Sequence, residues 1–369
     1  MSNNSQNVET SKPLSPWRQQ QPLTSIQNIS DRKTHALHPP LPCLAPNWTP
    51  NPSPDISVTS EVDASEENPE YVLQTEINAH FKSISSIKFS PCGVYLATAS
   101  ADKLIKIWDL DQSTTYPIKR IAVHNTGIND LAWCGCSRFI ASASDDKTVR
   151  ITNVKEENRV TILRGHTNYV LTCSYNRSST MLASGSYDGT ARTWDVKTGA
   201  CLRVLQHMDA VSCVAFSYKG DTLATTCYDR RIRIWDCESG APIDGFAEEY
   251  PIVFVKYTPN GRYLLTASLD DTLRLYSIVL RKQVKVYKGH ISRQDAIFAD
   301  LSVVGKHHLV CGSEDGKVYV WDIQSRKVLQ VLGRHATSVI AVSCNPTRKL
   351  LATASLEPDH KLRIWKSVT

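Results

Sequence analysis

The sequence predicts an all-β protein, a seven-bladed β-propeller preceded by a disordered N-terminal tail. Three observations carry this reading. The first is a repeat. Seven aspartates recur in phase: Asp102, Asp146, Asp188, Asp229, Asp270, Asp315 and Asp359. Six residues after each stands Trp108, Thr152, Trp194, Trp235, Tyr276, Trp321 or Trp365, at steps of 44, 42, 41, 41, 45 and 44 residues. A period in the low forties with several short strands per unit encodes one propeller blade per repeat. The second observation is strand alternation inside each unit. The third is a sharp change of composition near residue 70.

The unit is clearest between Ala79 and Leu110. His80 opens it, Asp102 follows 22 residues later, and Trp108-Asp109 closes it. Ile87-Lys88-Phe89, Tyr95 to Thr98 and Ile105 to Trp108 read as strands, and Pro91-Cys92-Gly93 reads as a turn. This layout, with Gly-His at one end in several copies and Trp-Asp at the other, is the WD40 signature. A buried Trp needs a partner for its ring N–H. The Ser/Thr-rich strand before each Asp can supply one, and a His and a carboxylate can complete the hydrogen-bonded chain. Ser, His and Asp recur together in six repeats, so the set is structural rather than a catalytic triad.

Residues 1–70 hold 11 of the 18 prolines and no glycine, with many Ser, Asn and Gln. Such a composition buries too little apolar surface to offset its ordering entropy, which predicts disorder. Trp17 and Trp48 are short-motif anchors or simply isolated aromatics. Residues 1–69 carry four basic and seven acidic side chains, so the remainder of the +6 chain is about +9. Those charges are interspersed, which argues for solvated faces and against direct nucleic-acid binding. No secretory leader and no apolar run near the ~20 residues of a membrane span are visible. The eleven cysteines are scattered and read as free thiols of a reducing compartment. Cys134-Gly135-Cys136 has no further ligand at metal spacing. No Walker loop, HExxH, GxSxG or dinucleotide fingerprint appears, so no catalytic residue and no cofactor is expected.

The two domains are therefore a tail, 1–70, and a propeller, 71–369. The last repeat supplies only three strands, so Tyr71 to Ile77 is expected to close the ring as its fourth. The second repeat has Thr152-Asn153 in place of Trp-Asp. The fifth lacks its His and has Tyr276-Ser277, which predicts weak locking and a deformable region there. The sixth carries about three extra residues, and the seventh has an insertion containing Pro358.

Position in the repeat also marks a channel mouth. It pairs Ser85 with Ala101, Asn129 with Asp145, Leu171 with Tyr187 and Ser212 with Tyr228. Val253 pairs with Leu269, and Phe298 with Glu314. Asp145 and Glu314 beside aromatics suit a cation or an arginine side chain.

The strings ADKLIKIW, SASDDKT, NGRYLLTASLDDTLRLY, GSEDGKVYVW and KLRIWKS resemble the WD-repeat protein five family. That family supplies the propeller subunit of COMPASS-type complexes that methylate lysine-4 of histone H3. The resemblance spans roughly residues 71–367 and implies two binding sites. One is a mouth that clamps an arginine of the histone H3 tail or of the catalytic subunit, here Ser85, Ala101, Gly127, Asp145, Leu171, Ser212, Tyr228 and Phe298. Leu171 stands where the family has a second phenylalanine. Asn129 and Val253 replace serines, and Asp295-Ala296 replaces Tyr-Cys. The other is a groove on the opposite face that receives a peptide of a sister WD-repeat subunit, here Asn260, Tyr263, Leu275, Lys285, Val303 and Gln324. The implied role is a non-catalytic scaffold in the nucleus, without direct contact to nucleic acid or membrane. A ubiquitin-ligase substrate receptor and a transcription corepressor are the alternatives. The helical segments those would bring are not seen in residues 1–70.

Overall fold

A computed structural model describes residues 69–112, 115–156, 159–305 and 307–368. The expected tail falls outside these residues except for its last two. The described chain contains strands and turns and no helix. It forms seven antiparallel sheets of four strands each. Six consist of consecutive strands; blade one, for example, is Ile84–Phe89, Tyr95–Ser100, Ile105–Asp109 and Lys119–Ile121. Blades two to six follow within 128–164, 170–206, 211–247, 252–288 and 299–333. Blade seven combines Val339–Cys344, Leu350–Ser355 and Leu362–Ser367 with Tyr71–Ile77 as its outermost strand. The closure is as the sequence predicts, with Tyr71 opposite Ser367 and Ile77 opposite Leu362.

Closure has a second lock. The Tyr71 N–H donates to the Gln330 side chain at 2.8 Å, and Gln330 Nε2 donates to the Tyr71 carbonyl at 3.0 Å. The Tyr71 hydroxyl lies 2.7 Å from His308 Nε2. Both partners belong to blade six, so the closing strand is fastened to two blades at once.

The first strands of the seven blades line a central channel, and their apolar faces pack into clusters shared by adjacent blades. Two channel aspartates act as inter-blade ties. Asp130 of blade two accepts from Ser86 Oγ of blade one and from Thr172 Oγ1 and the Cys173 N–H of blade three, at 2.9–3.2 Å. Asp300 of blade six accepts from Lys256 of blade five and, at 2.8 Å, from the Cys344 N–H of blade seven.

The predicted polar chain is complete in blades one, three and seven. His80 Nδ1–H donates to Asp102 at 2.8 Å, which fixes Nε2 as an acceptor for the Thr98 hydroxyl at 2.7 Å. Thr98 Oγ1 in turn accepts from Trp108 Nε1–H at 3.1 Å. His166, Asp188, Ser184 and Trp194 repeat this, as do His335, Asp359, Thr353 and Trp365. Every donor and acceptor along the chain is used, the condition under which a buried polar network stabilises. In blade two Thr152 ends the chain early, and its buried hydroxyl has no partner. In blade four the His207–Thr225–Trp235 part survives, while Asp229 forms a two-point pair with Arg233.

The deformable fifth repeat is not what the structure shows. Glu248 stands 22 residues before Asp270, the His position of the other repeats. Its side chain is 2% exposed and accepts from Arg274 Nη1 at 2.6 Å and from the Tyr276 hydroxyl at 2.9 Å. Ser268 also donates to it, and Arg274 bridges onward to Asp270. Tyr276 replaces Trp because its hydroxyl reaches a carboxylate, where an indole N–H would reach a Thr. A His search misses an acid that serves the same place in the network.

Blade six is the unlocked one. Cys311 occupies the place of the shared Ser or Thr, ten residues before Trp321. A thiol is a weak hydrogen-bonding group. His290 is buried with neither ring nitrogen partnered, and burial pushes it down to about 4, so it stays neutral. Asp315 instead accepts from Tyr319 at 2.9 Å, and Trp321 donates to the Lys288 carbonyl at 3.1 Å. These two histidines therefore invite opposite outcomes. His166→Phe removes one donor to Asp188 and the acceptor of the buried Ser184 hydroxyl and is expected to cost about 1–3 kcal/mol. His290→Phe removes two unsatisfied nitrogens while keeping a ring against Trp321, so it is expected to change stability by less than about 1 kcal/mol. Urea unfolding of both variants checks this; equal losses contradict it.

Candidate functional site

The channel holds a cavity of ≈ 450 Å³, lined by residues of all seven first strands. Its mouth is built from small polar residues that turn out to be staples. The Ser85 hydroxyl donates to the Ile128 carbonyl of blade two. The Ser212 hydroxyl donates to the Ile252 carbonyl of blade five at 2.7 Å. Asn129 Nδ2 does the same to the Val170 carbonyl of blade three at 2.9 Å and also reaches Asp145 at 2.7 Å. One repeat position thus fastens each of these blades to the next, a role the sequence reading did not assign. Gly127 lies beside Asp145 and Ala101, and a Cβ there would make ordinary contacts at 3.4 and 3.5 Å, so the position has room for a side chain. Burial raises the Asp145 carboxyl above the usual range.

Glu314 is not the free carboxylate expected at the mouth. Its Oε1 accepts from the N–H groups of Arg293, Gln294 and Asp295, at 2.6, 2.6 and 3.0 Å, and so holds the loop formed by the inserted residues. Leu171 is buried, and Tyr228 packs partly buried against the core. Phe298 meets Phe254 edge to face, with ring centroids 5.8 Å apart. Lys88 Nζ lies 5.4 Å from the centroid of the Phe298 ring. Phe298 therefore already carries a cation from the chain itself. The period-two pattern of Ser86 and Lys88 could have flagged that lysine, because Ser86 bonds the channel residue Asp130.

On the opposite face, the six groove residues are partly gathered. Tyr263 and Leu275 share the core cluster of blades five and six with Leu301 and Ile323. Leu275 is 6% exposed, so it belongs to the core beneath the groove. Lys285, paired with Leu275 across the outer strands, spans the groove. Its Nζ donates to the Ile323 carbonyl and to Gln324 Oε1, both at 2.9 Å, so it is committed to blade six rather than waiting for a partner's acid. Asn260 Oδ1 accepts from the Thr258 hydroxyl and the Arg262 N–H. Asn260 Nδ2 is buried without a hydrogen-bond partner. Val303, in the turn after Leu301, is 38% exposed.

Seven four-stranded blades, four of whose repeats close on Trp-Asp, define a WD40-type propeller, a fold that presents binding surfaces on its faces and in its channel. More narrowly, the chain belongs to the WDR5 β-propeller family: the family model described as "WDR5 beta-propeller domain" matches residues 76–366. Several known proteins are similar to it. The U5 small nuclear ribonucleoprotein 40 kDa protein of Homo sapiens is 34% identical over 288 residues, 76% of this chain and 80% of that protein. The WD repeat-containing protein WDS homolog of Arabidopsis thaliana is 35% identical over 85 residues, 23% of this chain and 16% of that protein. The ribosome biogenesis protein BOP1 homolog of Arabidopsis thaliana is 46% identical over 54 residues. That match spans 15% of this chain and 7% of the plant protein, so for both plant proteins it covers a small part of their length.

The mouth geometry yields a direct expectation. Leu171→Phe places a ring at the position where the family has its second phenylalanine and should tighten an arginine-containing histone H3 tail peptide by several-fold, the scale of one exposed cation–π contact of about 0.5–1 kcal/mol. Fluorescence polarisation checks this; unchanged affinity would remove the mouth as an arginine site.

Proposed function

We propose that the chain is a non-catalytic scaffold subunit of a nuclear, COMPASS-type histone H3 lysine-4 methyltransferase complex. In this reading the groove between blades five and six holds a peptide of a sister WD-repeat subunit. The mouth is the place for an arginine-containing segment of the catalytic subunit or the histone H3 tail. The observation that carries the groove assignment is the orphan Nδ2 of Asn260. A buried donor without a partner is costly, and a turn of the Asn260 side chain toward the groove would bring it to a backbone carbonyl of an incoming peptide. Asn260 lies three residues before the half-buried Tyr263, and with the exposed Val303 of blade six this gives the mixture of apolar contacts and few polar anchors that peptide sites use. Membership of the WDR5 propeller family and the likeness to the plant WDS homolog support a chromatin role. No S-adenosylmethionine fingerprint is visible in the sequence, so methyl transfer belongs to another subunit.

A second reading is favoured by one finding. The likeness to the 40 kDa protein of the U5 small nuclear ribonucleoprotein runs through most of the chain, which suits a scaffold in a splicing particle. Both readings place the chain in the nucleus.

Affinity purification followed by mass spectrometry separates them. Methyltransferase subunits should co-purify with the native chain, and Asn260→Ala with Gln324→Ala should reduce the sister WD-repeat subunit at least about tenfold at matched salt. Tenfold corresponds to a loss of about 1.4 kcal/mol, within the range for truncating interface anchors. Both side chains lie outside the hydrophobic core, so the ring should stay folded. Recovery of splicing-particle proteins instead would select the second reading, and undiminished sister subunit would move its contact away from this groove.

A further inference from the structure

We propose that the groove between blades seven and one is a docking site for an acidic segment of the chain itself, residues 61–67. This does not depend on the assignment of the groove between blades five and six. The two grooves are repeat equivalents on the same face. In blade five Tyr263 opens the second strand, and Leu275 of the third strand pairs with Lys285 of the fourth. In blade seven Leu350 opens the second strand, and Ile364 pairs with Thr75 of the closing strand. Where Lys285 spans its groove and ties itself to blade six, Thr75 is too short to cross. The result is an open cavity of ≈ 440 Å³ between blades seven and one.

Its character defines the ligand. Trp108, Leu110, Leu350 and Ile364 give it an apolar lining. Lys349 and Lys366 are exposed cations on its rim, and Arg348 crosses the junction to Asp111 of blade one at 2.8 Å. Asp109 is the one carboxylate lining it, so cations prevail. An extended segment with carboxylates beside small apolar residues fits this surface.

The chain carries such a segment next to the groove. Lys366 is paired with Val72, and the Val368 N–H donates to the Glu70 carbonyl at 2.9 Å. The polypeptide therefore enters the ring beside Lys366. Residues 61–67 are Glu-Val-Asp-Ala-Ser-Glu-Glu, with no basic residue. They hold four of the seven carboxylates in residues 1–69. Seven extended residues reach about 23 Å. A tether of a few residues raises the effective concentration to the order of millimolar, so a weak, salt-screened contact suffices for occupancy.

The test uses the full chain and a fluorescent peptide of residues 59–69 supplied in trans. Three proteins are compared: the native chain, the E61Q/D63N/E66Q/E67Q variant, and that variant carrying K349E and K366E as well. The peptide should bind the neutralised-tail variant at least about fivefold more tightly than the native chain, whose own segment competes. Binding should fall again at least about fivefold with the two reversed lysines and weaken as salt rises. Carbodiimide coupling in the native chain should join Lys366 or Lys349 to Glu61 or Asp63. Equal affinity for the native and neutralised chains would overturn the proposal and leave the groove open to an acidic segment of another protein. Absence of binding, or indifference to the lysine reversals in a variant with unchanged melting, would overturn it too.

Discussion

The hydroxyl shared between a tryptophan and a histidine is the interaction on which the ring depends. In Thr98, Ser184 and Thr353 one oxygen accepts an indole N–H and donates to an imidazole that an aspartate has oriented. Each member lies on a different strand or turn of its blade, so the chain of bonds ties the second strand, the third strand and the incoming loop together. Removing any member deprives its neighbours in the chain of one buried bond each, which is why the set recurs as a unit. It also explains why a Ser-His-Asp set in this chain has no catalytic meaning. The bonding order is that of a catalytic triad, but Thr98, Ser184 and Thr353 are fully buried and their oxygens already accept the indole N–H.

The departures from this set are as informative as the copies. Blade five exchanges His for Glu248 and Trp for Tyr276, and an arginine then bridges two carboxylates. This keeps every group satisfied with a different chemistry. Blade six loses its hydroxyl to Cys311 and leaves His290 unpartnered. It is compensated from outside: Tyr71 and Gln330 fasten it to the closing strand, and Asp300 ties its first strand to blades five and seven. The neighbours of a weakly locked blade thus supply the restraint that its own network lacks.

The ring, the blade count and the closing strand were legible in the sequence because each rests on spacing: the Asp-to-Trp interval, the period in the forties, and an alternating strand before the first His. The network in blade five was hidden because the reading looked for a residue type, whereas the position 22 before Asp270 demanded only a buried hydrogen-bonding partner. The mouth was mixed. Ser85, Asn129 and Ser212 spend their side chains on the next blade's carbonyls, and Glu314 on loop amides. Such carbonyl and amide partners come from blades 40 or more residues away or from an insertion, and no local pattern encodes them. The core position of Leu275 and the bridging of Lys285 are likewise products of blade-to-blade packing.

If the shared hydroxyl network sets the local stability of each blade, its strength should be readable blade by blade in the native state. Hydrogen exchange followed by mass spectrometry measures this, because amide opening tracks local rather than global free energy. The third strand of blade five, Thr272–Ser277, should exchange more slowly than its counterpart in blade six, Lys317–Asp322. Faster exchange in blade five than in blade six would contradict the account, because it would mean that the Glu248 network does not replace the histidine it displaced.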